Sequence, residues 1–340
     1  MDREKVIEAL IFLGKEITKN ISNELFQNVI QKNCEANLWF KEDDVRYAIS
    51  SIALWLNEDI LYNFCGKYQY THKPKSVAVI MAGNIPAVGF ADMLHVLLSG
   101  HNFIGKLSHQ DKILLPFMVE IMKKRVPEIN NIVKFSCDKI NNFDAVIATG
   151  SNNSASYFEY YFRNYPHIIR KNRSSIAIIS NNFEYNNYNF SSFADDVLLY
   201  FGLGCRNVSK IYLPVGFDLE IFTKVFASHS KVLDHNKYRN NYEYHKAIYI
   251  MNNVSFFDSG VVLMLENKNL HSPVSVLNYE YYNNNTNDIY SNIIENNKEE
   301  IQCIVSDKHF PNTVSFGKAQ QPAINDFADG IDTMKFLELI

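Results

Sequence analysis

The stretch SVAVIMAGNIPAVGFADMLHVLLSGHNFIGKLS, residues 76–108, decides the fold. It opens with an apolar run closed by Gly83 and Asn84, the pattern of a strand buried on both faces of a parallel sheet. After Pro86 a helix-like segment runs from Val88 to Leu98 and stops at Gly100. HNFIGKLS then supplies a second strand. Strand, helix and strand in this order form a βαβ unit, and the same alternation continues outward. ILLPFMVEIMKKR (113–125) reads as a helix with Asp111 placed to cap its start. Asn131–Phe135 reads as a strand, and FDAVIATGS (143–151) as another whose Gly-Ser turn leads into the helical SASYFEYYFRN (154–164). SSIAIIS (174–180) is the next strand.

Beyond residue 190 the reading is a helix over Phe193–Phe201, a strand over Lys210–Leu213 and a helix over Leu219–His229. The polar stretch LDHNKYRNNYEYHK breaks the pattern. AIYIM, GVVLML, VSVLNYEYY and IQCIVS then read as strands, with a helix over Asn287–Asn296 and a solvent loop in NNNTND (283–288). The N-terminal 70 residues read as mostly helical, with Val6, Ile7, Leu10 and Ile11 at helical spacing. The fold class is therefore α/β, in two parallel-sheet lobes. Residues 1–174 hold the N-terminal helices and the first lobe, 175–310 the second, and 311–340 a C-terminal segment packing back on the core. A cleft between the lobes is the natural place for an active site.

The bulk composition narrows the function classes. The chain has 340 residues, 47 % hydrophobic and 21 % charged, with 33 basic against 37 acidic residues. Such a balance gives no basic field for nucleic acid or anionic lipid. The N-terminus lacks the apolar core of a signal peptide, and no run is long enough to span a bilayer, so a soluble cytoplasmic protein is expected, with no membrane insertion. The five cysteines, Cys34, Cys65, Cys137, Cys205 and Cys303, are widely spaced with no CxxC, which suggests neither a disulfide framework nor zinc. His95, His101 and His109 lack metal-ligand spacing, and no metal is expected.

Several residues stand where chemistry is done. Asn84 ends a buried strand, where α/β folds place ligands; it is either a turn residue or an amide donor to an oxyanion. Lys106 ends the next strand at the same edge and suits a phosphate or ribose. Thr149, Gly150 and Ser151 lie between strand and helix, where helix N–H groups favour an anion. In LLYFGLGCRN (198–207), Cys205 follows two glycines and precedes Arg206. It is either a small buried residue or a nucleophile, which would need a positive or dipolar setting.

Taken together, these pieces resemble the aldehyde dehydrogenase superfamily, and within it the acyl-CoA reductases of the bacterial bioluminescence (LuxC) type, over roughly residues 73 to 340. HKPKSVAVIMAGNIP is similar to the superfamily's strand ending in the oxyanion Asn, and GFADMLHVLLSGHNFIGKLS to its helix and cofactor-contacting Lys. IATGS resembles the turn over the nicotinamide cofactor, FGLGC the segment with the catalytic cysteine, and FGKAQQP with FADGIDTMKFL the C-terminal stretch of the reductase branch. The resemblance implies an aldehyde dehydrogenase-like fold with the active site between the lobes. It assigns Cys205 as nucleophile and Asn84 as oxyanion donor, and gives Lys106, Thr149, Gly150 and Ser151 to the cofactor.

The departures sharpen what the resemblance implies. Arg170, in RKNRSS (170–175), falls where the hydrolytic dehydrogenases carry a water-activating Glu, which favours exchange of an acyl-enzyme with CoA over hydrolysis. In NLHSPV (269–274), Asn269 replaces a ribose-holding Glu. His109 occupies a position often acidic in NAD-specific relatives, which favours NADPH, with NADH the alternative. The short N-terminal region leaves the oligomeric state open; a homo-oligomer or an acyl-transferring partner protein is compatible. The implied function is reduction of an acyl-CoA, of fatty type, to the aldehyde through a cysteine thioester. Rival readings are an aldehyde or semialdehyde dehydrogenase working oxidatively, a cysteine acyltransferase or thioesterase, and a non-enzymatic scaffold.

Overall fold

The computed structural model describes residues 1–136, 138–185, 190–283 and 285–340. Cys137 and Asn284, named above, lie outside the described residues. The chain divides into two compact units, Met1–Asn172 with Ala323–Ile340, and Arg173–Pro322. Residues 311–322, grouped above with the C-terminal segment, thus belong to the second unit.

In the first unit, α1 (Arg3–Asn20), α2 (Glu24–Ala36), α3 (Glu42–Trp55) and α4 (Glu58–Cys65) precede the sheet. Along α1, Val6, Ile7, Leu10, Leu13 and Ile17 are all buried, giving one apolar face that packs against α3. Next come β1 (Ser76–Ile80), α5 (Phe90–Ser99), β2 (Asn102–Lys106), α6 (Leu114–Arg125), α7 (Ile129–Ile132) and β3 (Val133–Ser136). β4 (Ala145–Thr149), α8 (Asn152–Phe162) and β5 (His167–Arg170) complete the alternation. The sheet is parallel throughout, in the order β3-β2-β1-β4-β5. β1 is the centre, its middle residues Val77, Ala78 and Val79 fully covered. α5 ends at Gly100, whose φ of 97° a side chain would resist.

Among the described residues, the second unit holds β6 (Ser174–Ile178), α9 (Phe193–Leu198), β7 (Val208–Pro214), α10 (Glu220–Ala227), α11 (Asn236–Met251), β8 (Phe257–Asp258) and β9 (Leu263–Glu266). β10 (Val276–Tyr282), α12 (Thr286–Asn297), β11 (Ile301–Ser306) and β12 (Thr313–Val314) follow. The sheet order is β12-β11-β6-β7-β10-β9-β8, parallel except where β8 meets β9. The chain then returns to the first unit and ends in α13 (Thr333–Leu339) against α5.

Several sequence expectations need correction. AIYIM is not a strand, and the polar stretch before it is not a break, because AIYIM and residues 236–246 of that stretch form the 16-residue α11. Its inward face is carried by Tyr238 and Tyr242, whose hydroxyls bond the Val261 carbonyl and the Asp258 carboxylate. The helix expected to reach Phe201 ends at Leu198. β5 was not anticipated. Asp111 is not the N-cap of α6, which is Ile113; its carboxylate accepts the Ala87 N–H and also meets the Leu114 amide at the start of the helix.

Two buried histidines fasten the C-terminal segment to the first unit. His95 Nε2–H donates to the Ile324 carbonyl at 3.3 Å, while its ring stacks on Phe64. His101 accepts the Lys75 N–H through Nδ1, so its Nε2–H donates to the Leu337 carbonyl at 2.9 Å. Burial holds the His95 imidazole down at about 4 and lowers His101 as well. Between that value and the unfolded value near 6.5, the unfolded chain binds a proton that the native ring refuses. Stability from His95 is therefore complete above about pH 6.5 and lost as pH falls through about 4, an effect on the order of 3 kcal/mol. His95→Phe should flatten this part of the wild-type stability–pH curve, as followed by urea unfolding between those pH values.

Candidate active site

In the first unit the sheet order reverses direction at β1, which opens the kind of crevice where parallel sheets hold ligands. Register places the end of β1 beside Lys106 on one flank, since Ile80 pairs with Lys106, and beside Ala148 on the other. Asn84 follows on the β1–α5 connection and is half-buried. Lys106 is half-buried, its Nζ donating to the Asp138 carbonyl at 3.4 Å. Asn84, Lys106 and Thr149–Ser151 thus share one carboxyl edge.

The TGS turn is partly self-satisfied. The Gly150 N–H donates to the Arg170 carbonyl at 3.2 Å, and Ser151 Oγ caps α8 by accepting the Ser154 N–H. A Cβ on Gly150 would stand 2.8 Å from the Ser154 Cβ, so glycine is what lets the turn close on the helix. The half-buried Thr149 and the exposed Ser151 remain at the edge. On the neighbouring connection His109 and Gln110 are exposed, while Asp111 is buried and pushed up by that burial to about 6, with the Ala87 and Leu114 amides acting against the rise.

Arg170, the last residue of β5, is committed to the fold. Its Nη1 meets Asp92 Oδ2 at 2.7 Å and its Nη2 donates to Thr333 Oγ1 at 3.0 Å. Both partners of the ion pair are buried, their side chains 6 % and 9 % exposed. One cation therefore ties β5 to α5 and α13, and removing either charge from such a pair typically costs about 3–5 kcal/mol.

In the second unit, Cys205 stands on the amino side of β7. Of the four described cysteines it alone is exposed. Burial pushes the Cys34 thiol up to about 11 and raises Cys65 too, which disfavours both as thiolates. The chain reaches Cys205 through three consecutive left-handed residues, Tyr200 (φ 54°), Phe201 (φ 56°) and Gly202 (φ 76°). For Tyr and Phe that conformation costs roughly 1–3 kcal/mol each and survives only where the surroundings impose it. Phe201 is 1 % exposed and packs 4.3 Å from the His235 ring.

Asn207 imposes the rest. It is buried, donates through Nδ2 to the carbonyls of Asp196 (3.3 Å), Val197 (3.4 Å) and Leu199 (2.8 Å), and accepts the Gly204 N–H at 2.8 Å. Ser175 Oγ donates to the Cys205 carbonyl at 2.8 Å. Asp196 accepts the N–H groups of Gly317 (2.6 Å) and Ala319 (2.9 Å), and burial pushes it up to about 7 against the pull of those amides. Arg206 reaches the Ala319 carbonyl and the Cys303 sulfur. The FGKAQQP stretch is thus strapped to the cysteine loop. Asn269 is exposed on the β9–β10 connection. Sequence reasoning missed Asn207, Asp196 and the Asp111–Ala87 contact. A polar residue entering an apolar strand was a signal for Asn207 alone.

Among the described residues no His, Cys, Asp and Glu cluster is arranged to hold a metal, and no helix is long and apolar enough to cross a membrane. The family model of acyl-CoA reductase (LuxC) matches residues 50–229. No curated protein matches the sequence. Among solved structures, aldehyde dehydrogenase 21 of Physcomitrella patens, in complex with the reaction product succinate, aligns with a TM-score of 0.68 at 10 % identity, over 99 % of this chain and 85 % of its own. Glyceraldehyde-3-phosphate dehydrogenase of Methanocaldococcus jannaschii, complexed with NADP, gives 0.63 at 11 %, over 92 % and 77 %. An aldehyde dehydrogenase of Mycobacterium tuberculosis, complexed with NAD+, gives 0.58 at 14 %, over 89 % and 72 %. The fold is that of the aldehyde dehydrogenases.

Asn207→Ala should strip the cysteine loop of its side-chain clamp and lower stability by about 1–3 kcal/mol in urea unfolding. The same variant should change the rate at which iodoacetamide alkylates Cys205 in the folded protein.

Proposed function

The chain belongs to the acyl-CoA reductase (LuxC) family, and from that premise we propose that it reduces a fatty acyl-CoA to the aldehyde with NADPH, through a thioester on Cys205. The observation that carries this reading is the exposure of Cys205 on a loop held in a strained backbone by buried polar groups.

Cys205, as thiolate, attacks the acyl carbonyl carbon and forms a C–S bond. The Asn84 amide and the Cys205 N–H donate to the oxygen as it gains charge. The C–S bond to CoA then breaks, CoA leaves as thiolate, and the acyl group stays on Cys205. The residues at the carboxyl edge of the first sheet fit a dinucleotide: Lys106 offers a cation, Thr149 and Ser151 offer hydroxyls, and Gly150 keeps the turn tight. When bound there, a reduced nicotinamide supplies the hydride that the acyl carbon accepts. The former carbonyl oxygen, now an oxyanion, re-forms its C=O bond as the C–S bond to Cys205 breaks, giving free aldehyde and regenerating the thiolate.

Two features favour the reductive direction and NADPH. Arg170 stands where the resemblance calls for a water-activating carboxylate, and its guanidinium is bound to Asp92, so this position supplies no base. The connection after Lys106 exposes His109 and Gln110 and turns its carboxylate inward, leaving a 2′-phosphate unopposed. We place the reaction in the cytoplasm, with the acyl group arriving as the CoA thioester or from an acyl-transferring partner protein.

The test follows NADPH and NADH absorbance with acyl-CoAs of graded chain length. Wild type should oxidise NADPH only when acyl-CoA is present, Cys205→Ala should be inactive, and Asn84→Ala should be slower by a factor on the order of 10²–10³. CoA release without nicotinamide oxidation would make the protein an acyltransferase or thioesterase. Steady oxidation of aldehyde without CoA would make it a dehydrogenase.

A further inference from the structure

The connection from β1 to α5, residues 81–89, carries Asn84 and contains one costly residue. Ala87 sits at φ 55°, a left-handed conformation that a non-glycine residue keeps only under tertiary support, and it is 3 % exposed. Its N–H donates to Asp111 Oδ2 at 2.6 Å. Asp111 is 6 % exposed and belongs to the neighbouring connection, from β2 to α6, which begins beside Lys106. Its own N–H donates to the Ser108 carbonyl at 3.2 Å, and Ser108 Oγ accepts the Gln110 N–H, so the carboxylate rests on a closed turn. The same turn meets the other side of Asn84. A Cβ on Gly83 would lie 2.4 Å from Ser108 Oγ, so Gly83 packs directly on it. Asn37 Nδ2 donates to the Gly83 carbonyl at 3.5 Å.

Asn84 is thus bracketed at Gly83 and Ala87 by one turn, and the Ala87 side rests on a buried, charge-assisted bond. We propose that Asp111 is a positioning residue for the reduction: by holding the Ala87 N–H it fixes the 81–89 connection and sets the Asn84 amide toward the developing oxyanion. This rests on the reading of Asn84 as oxyanion donor. Asp111 also joins the connection that carries Asn84 to the one that follows Lys106.

The test uses full-length Asp111→Ala, Asp111→Asn, Asn84→Ala and the Asn84→Ala/Asp111→Ala pair. Each is assayed for acyl-CoA-dependent NADPH oxidation and for deuterium uptake in the peptide spanning residues 81–89. Asp111→Ala should lower kcat by about 10- to 100-fold with KM for acyl-CoA held within about twofold, as expected of a misplaced catalytic group. Asp111→Asn keeps an acceptor oxygen and should retain most of kcat. The double variant should be no slower than Asn84→Ala alone, because Asp111 acts through Asn84. Deuterium uptake at 81–89 should rise in Asp111→Ala.

Multiplicative losses in the double variant, or unchanged uptake at 81–89, would overturn the proposal. Should Asp111→Ala not fold, Asp111→Asn carries the same comparisons, with a small kcat loss and raised uptake expected and no change in either overturning. If wild type reduces no acyl-CoA, the reductase reading falls by itself. Deuterium uptake then decides whether Asp111 holds the connection, raised uptake supporting the tether and unchanged uptake refuting it.

Discussion

An open parallel sheet covered by helices on both faces has a place where its winding reverses, and in the first unit that place is β1. Chains leaving the carboxyl ends of β1 and β4 turn to opposite faces of the sheet, and the crevice between them cannot be filled by either helix. Everything polar at that edge follows from this constraint. Asn84, Lys106 and Thr149 are not near one another in sequence, but the register of β1 with β2 and β4 brings their backbones to one edge. Residues at such an edge escape the burial that strands impose, so polar side chains cost little there. The edge is kept in shape by contacts between connections, among them the buried bond of Asp111 to Ala87.

The second unit solves a different problem. Cys205 comes before β7, at the amino side of the sheet, where no reversal opens a crevice. A loop there must be held by its own side chains. Asn207 fills that role by engaging three carbonyls and one N–H, and the buried Phe201 ring offsets the left-handed backbone before it. Asp196 and Arg206 extend the hold to residues 317–319 and to Cys303. The cysteine is exposed because these groups absorb the irregularity of the loop.

Much of the fold was legible because burial on both faces leaves a plain signature. β1, β4, β6 and β11 are short apolar runs ended by turn residues, and α5 ends at a glycine that its left-handed backbone requires. The failures share a cause. α11 is mostly solvent-exposed, held by Tyr238 and Tyr242, so its polar first half looked like a loop and the apolar AIYIM at its end like a strand. β5 is four residues of HIIR, too short and too polar to separate from a turn. At the candidate site, residue types named Asn84, Lys106 and Cys205. Asp196 was silent because its partners lie more than a hundred positions away. For Asp111 the helix start was legible, since its carboxylate meets the Leu114 amide, but not its tie to Ala87 on the adjacent connection, 24 positions away.

Arg170 is fixed in the fold by its buried contacts. A carboxylate at this position would face Asp92 inside a buried pocket, where two like charges cannot both ionise. Asp92 would lose its partner, and Thr333 the donor that ties α13 to β5. A carboxylate here would therefore need a second change at Asp92 and a new anchor for the C-terminal helix. The proposed reductive reading takes this position to lack a base, and the ion pair found there is part of what holds the first unit together. On the proposed reading, the residue that supplies no base at this position is also one that ties β5 to α5 and α13.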